Sequence, residues 1–178
     1  MVYNVLMKHV KLVSIFLICA YFWYCAKNYG EWHLIDNVNL IFHEAGHTIF
    51  IFFGEFVKVL MGSGFQVLVP LLICIYYIWS DQKASSGVAL MWAGQSLLNV
   101  SVYARDAEAM MLPLLGGDAV GHDWNYILGQ LSLLDSVDTV ANWILTGGFA
   151  FIVLGSITSL YFVSRVDDPS EGEASILK

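Results

Sequence analysis

Four stretches of this chain carry no charged side chain: residues 12–26, 59–80, 84–104 and 139–164. A helix needs about 20 apolar residues to cross the hydrocarbon core of a bilayer. Three of the four runs reach that length alone, and the first does so when read as a span over residues 5–26. The composition agrees: 58% of the residues are hydrophobic and 13% charged, against about 25% charged in a water-soluble domain. The pattern therefore predicts an all-α polytopic integral membrane protein. Eight Lys and Arg against fifteen Asp and Glu give a net charge of −7 with no basic stripe, which disfavours a DNA-binding domain, and no nucleic-acid partner is expected.

The first run is not a cleaved leader. Lys8 and Lys11 precede it, but Tyr21-Phe22-Trp23-Tyr24 follows, and these bulky aromatics suit an interfacial belt better than a small-residue cleavage site. A second span is expected over residues 35–53, with Asp36 or Asn37 as N-cap and Gly54 as a stop. Residues 54–58 and the Gly62-Ser63-Gly64 string predict a short extended or looped segment, with the third span starting near Phe65 and Pro70 as a kink or start point. The fourth and fifth spans are expected at 87–103 and 140–162. Between them, residues 105–138 mix six acids with Pro113, Gly116, Gly117 and Gly121, which predicts an amphipathic or re-entrant segment ending in a short helix over 124–134. This gives about five transmembrane helices in one domain, residues 1–164, followed by a polar tail, 165–178, of disordered composition. Orientation is weakly encoded, with only the paired lysines before the first span favouring a cytoplasmic N-terminus.

Smaller features have plain readings. Cys19, Cys25 and Cys74 form no metal-ligand spacing and read as packing residues. Gly147, Gly148 and Gly155 read as a close helix contact. Trp79, Trp92 and Trp143 read as membrane anchors, and His9 and His33 as interfacial side chains.

Chemistry concentrates in the second span. His43-Glu44-Ala45-Gly46-His47 is a His-Glu-x-x-His string, and on a helix its two histidines lie one turn apart on one face, where both imidazoles reach a single zinc ion. Glu44 projects about 100° round the helix from His43, placed to touch a water on that ion as a general base. An ionisable residue at mid-span costs on the order of 3 kcal/mol even on insertion scales. Three polar groups within five positions therefore call for compensation, which a bound Zn2+ supplies.

With its His-Glu-x-Gly-His helix inside an apolar segment, followed by Gly54 and the 54–58 stretch, the chain resembles the site-2 protease family of intramembrane zinc metalloproteases. Over its length it resembles small bacterial membrane proteins grouped with that family by the same motif. The resemblance implies a zinc metalloendopeptidase that cleaves membrane-embedded protein substrates, in a bacterial inner membrane. It also implies His43 and His47 as ligands with a distant aspartate, and Glu44 as base. The family's Asn-Pro-Asp-Gly string is missing here.

A catalytic zinc needs three protein ligands and one open position. The loop from Leu112 to Trp124 is a loose counterpart of the family's aspartate segment, and Asp123 is the first candidate, with helix N-cap as its alternative role. His122 is next to it. Asp106 competes because Gln95, Asn99 and Asp106 would share one face of a continued helix, and Asp118 is a further acid in the loop. Asn99 is also a candidate for orienting substrate. Two other readings stand beside the peptidase: a non-proteolytic metal-binding membrane protein, and a membrane scaffold with an inactive site.

Overall fold

The computed structural model describes residues 2–113, 115 and 121–165. Among them it contains six α-helices and no strand: α1 Val2–Lys27, α2 Leu34–Ile49, α3 Glu55–Trp79, α4 Lys83–Arg105, α5 Asp123–Gln130 and α6 Val137–Ser164. One-turn 3-10 helices, Ile51–Phe53 and Leu134–Ser136, precede α3 and α6. Three segments, Leu6–Lys27, Glu55–Trp79 and Leu134–Ser164, are long and apolar enough to cross a membrane. This marks the chain as a membrane protein. Asp118 and the tail after Arg165 lie outside the described residues.

α4 is the central helix. It packs most extensively on α6 and next on α3, and α2 lies against α3. Glycines set the α4–α6 distance: a Cβ on Gly94 would stand 2.7 Å from the Gly148 carbonyl oxygen, and one on Gly148 would stand 2.8 Å from that of Gly94. Gly87 and Gly155 repeat the arrangement, whereas Gly147 meets only Leu97 at ordinary contact distance. Cys19, Cys25 and Cys74 are buried free thiols, as packing residues would be.

Several local expectations change. α2 is capped by His33, not by Asp36 or Asn37. The Asp36 carboxylate, one turn in, accepts the His33 backbone N–H at 2.7 Å. His33 is accordingly buried, donating from Nε2 to the Asn28 carbonyl at 3.0 Å. Gly54 does end the 3-10 turn, with φ at +88°, a value open to glycine. However, residues 54–58 are not extended: α3 begins at Glu55, and Lys58 N–H already bonds to the Gly54 carbonyl. The Gly62–Gly64 string lies inside that helix, where Gly62 permits a close approach and does not break it. Pro70 also lies within α3. The short helix runs over Asp123–Gln130, earlier than expected.

Trp79 and Trp143 stand on the outer surface, but Trp92 turns inward and donates to Asn39 Oδ1 at 2.9 Å. In the aromatic string, Phe22 is buried, and Tyr21 and Trp23 bond to Ile35 N and Ser156 Oγ. Packing thus competes with the interface for these side chains.

Candidate metal centre

The buried face of α2 is polar, with Asp36, Asn39 and His43 at helical spacing and Gly46 one turn on. Gly46 faces α3 so closely that a Cβ there would collide with the Met61 carbonyl and stand 2.8 Å from Phe65 Cβ. The glycine between the two histidines therefore lets α3 lie against them. Asp36 and Asn39 are fully engaged. Asp36 Oδ1 accepts from Gln95 Nε2 at 2.7 Å, and Asn39 Oδ1 accepts from Trp92 Nε1 and Ser96 Oγ at 2.9 Å each.

His43 and His47 point at α5. His43 Nε2 lies 2.9 Å and His47 Nε2 3.1 Å from Asp123 Oδ2, and the three ligand atoms fall within 4.8 Å of one another. The opposite nitrogen of each ring faces an oxygen acceptor: His43 Nδ1 meets Gln66 Oε1 at 3.2 Å, and His47 Nδ1 meets the Lys58 carbonyl at 3.0 Å. A carbonyl oxygen can only accept, so both Nδ1 atoms carry the hydrogen and both Nε2 lone pairs turn toward a carboxylate. Two lone pairs and an anion converging at this distance need a cation or a proton between them. Tetrahedral ligands at about 2.1 Å from a metal stand about 3.4 Å apart, so each imidazole–carboxylate distance would open by a few tenths of an ångström around an ion. His43, His47 and Asp123 could thus hold a metal ion. With a proton rather than an ion between the groups, both imidazoles donate from Nε2 to Asp123; burial pushes the carboxyl up, but these hydrogen bonds outweigh it and hold the group below its ordinary value.

Glu44 is half-buried and lines, with His43, His47 and Asp123, a cavity of about 580 Å3. Asn99, Tyr103, Leu40 and Pro113 form other parts of its wall.

The remaining candidates are engaged elsewhere. Asp106 caps the end of α4 and accepts from the backbone N–H groups of Met111 and Leu112 at 2.9 Å each. His122 is the N-cap of α5, the role considered for Asp123. Its Nδ1 accepts from Asn125 N at 3.3 Å, which leaves Nε2–H to donate to Asp106 Oδ2 at 3.2 Å. The pair therefore closes the loop that delivers Asp123. Gln95, Asn99 and Asp106 do not act as one stripe: Gln95 serves Asp36, Asn99 accepts from Gln66 Nε2 at 3.1 Å, and Asp106 holds the loop.

Four participants were not anticipated from the chain alone: Gln66, the Lys58 carbonyl, Tyr103 and Gly62. Tyr103 OH accepts from the Asp123 backbone N–H at 3.1 Å, and its ring lies between His43 and His122. Gly62 leaves room for the imidazoles, since a Cβ there would run into the His47 ring and stand 2.8 Å from His43 Nε2. Gln66 had a signal, as a lone amide in a long apolar run. Gly62→Ala is expected to displace both rings and weaken metal binding about 10- to 100-fold, an outer-shell effect in size. Chelator competition on the purified variant measures it, and unchanged affinity would show that the rings have another resting place.

No protein-family model, no curated protein and no solved structure matches this chain.

Proposed function

We propose that this chain is a site-2 protease-like, zinc-dependent intramembrane endopeptidase. Zn2+ would be held by His43, His47 and Asp123, with Glu44 as the base. The observation that carries the reading is the convergence of two Nε2 lone pairs and one carboxylate oxygen at 2.9 and 3.1 Å, with Glu44 on the same cavity. Carboxylate and imidazole ligands suit zinc, and three protein ligands leave the open position that catalysis requires.

In this reading α2 and α4 also lie within the membrane, giving five spans. Leu34, Ile41 and Ile49 on the outer side of α2, and Phe52 in the turn after it, are exposed and apolar, while the polar face of α2 is turned inward. α4 carries Gln95, Ser96 and Ser101, and burial by its neighbours accommodates them. The reading includes a bacterial inner membrane as the setting.

Held by His43, His47 and Asp123, a zinc ion would supply Lewis acidity and lower the pKa of water to about 7. Glu44, on the same cavity, would serve as the base that accepts a proton from the attacking water and returns it to the leaving amine. Asn99, on the cavity wall, is placed to orient substrate. A membrane helix has its backbone amides already bonded, so a substrate segment must unwind before it can be attacked, and helix-breaking residues near the cleavage point favour cleavage. The 54–58 stretch offers no strand edge to such a segment, because it is helical.

The test is reconstitution in liposomes with a single-span peptide carrying a central Gly-Pro pair. Cleavage within the span is expected, stopped by a chelator and restored by Zn2+. Bound metal without cleavage of any such peptide would favour a non-proteolytic metal protein, and no bound metal would remove the chemical basis of the proposal.

A further inference from the structure

The geometry points to Gln66 as a positioning residue that selects the metal-binding form of His43, an inference that rests on the metal reading above. Gln66 is 2% exposed within α3, an apolar helix long enough to cross the membrane. A buried amide there is costly unless its bonds are made. Its Nε2 donates to two acceptors on α4, Asn99 Oδ1 at 3.1 Å and the Ser96 carbonyl at 3.4 Å. The Ser96 carbonyl can only accept, and this fixes which way the amide faces, since turning it over would set oxygen against oxygen. Oε1 is then obliged to face His43 Nδ1 at 3.2 Å.

The consequence passes to the ligand. An acceptor at Nδ1 requires the hydrogen on Nδ1, so Nε2 keeps its lone pair on the side of Asp123. In the other neutral tautomer, Nδ1 and Oε1 would repel, and Nε2–H would occupy the place of the ion. His47 receives the same instruction from the Lys58 carbonyl, which is backbone and survives any substitution there. Gln66 is therefore the side chain through which α3 and α4 together set one of the two histidines.

The test combines spectroscopy with metal affinity on the full-length protein in detergent. In the metal-free wild type, long-range 1H–15N spectra of histidine-labelled protein should show His43 carrying hydrogen on Nδ1, alone or together with Nε2, which faces the Asp123 carboxylate. A neutral His43 protonated on Nε2 overturns the inference without recourse to any variant. Gln66→Met keeps size and apolar fit but removes the acceptor, and should weaken Zn2+ binding about 10- to 100-fold by chelator competition, the range for outer-shell partners of metal-bound histidine. Gln66→Glu restores an acceptor at Nδ1, with Asn99 turning its amide to donate, but sets its second oxygen toward the Ser96 carbonyl, and should recover part of the affinity lost in Gln66→Met. Wild-type affinity in folded Gln66→Met, or equal losses in the Met and Glu variants, would overturn the role of Gln66 alone. A wild type that binds no Zn2+ would overturn the metal reading and this inference together.

Discussion

Glu44→Gln is expected to slow peptide cleavage by about 10²- to 10⁴-fold, the range general-base catalysis contributes, with metal content unchanged. Glutamine matches glutamate in size but cannot take a proton from water at neutral pH. The substitution also leaves the ligand set alone, because the converging atoms belong to His43, His47 and Asp123. The split between lost turnover and retained metal separates a base from a ligand. Loss of both would mean that Glu44 holds the ion, and loss of neither would remove it from the chemistry.

The second large effect is expected at Asp123. Asp123→Ala takes away the one anionic ligand and leaves two neutral imidazoles, so Zn2+ affinity should fall by more than the 10- to 100-fold typical of outer-shell changes. Cleavage should go with it. The fold has reason to survive: α5 is capped by His122, and the contact from position 123 to Tyr103 is made by its backbone N–H, which alanine retains. Helical content by circular dichroism should therefore match wild type while metal per chain is lost. A variant that still binds Zn2+ tightly would mean that another group completes the site.

The parts of this arrangement differ in how visible they are in the chain. His43 and His47 are legible because their relationship is local: four residues on a helix fix it. Asp123 was readable only as one of several acids and a histidine in a loop, since nothing within residues 105–124 says which will cross the cavity. The choice depends on Asp106 and His122 bonding to each other. Glycines misled for a related reason. Gly62 and Gly64 mark a break by propensity, yet Gly62 serves as clearance for two imidazoles, and only the packing of α3 on α2 reveals that.

Span counting has the same weakness. Leu6–Lys27, Glu55–Trp79 and Leu134–Ser164 are apolar by their own content. α4 was read from an uncharged run, but it carries the serines and amides that a central helix can bury among its neighbours, and this dilutes its hydropathy. Asp36, Asn39 and Gln95 satisfy one another across α2 and α4, a solution that no single helix announces.

The two halves of the metal-ligand set are separated by 80 positions in the chain, from His43 to Asp123. During synthesis the histidine pair emerges first and has only two neutral donors to offer until α5 has been made and docked. α3 and α4 must also be in place, because they carry Gln66, the Lys58 carbonyl and Tyr103. In the proposed reading, metal capture is thus a late event that reports a finished bundle, and a half-inserted chain would have no means of cutting its neighbours in the membrane.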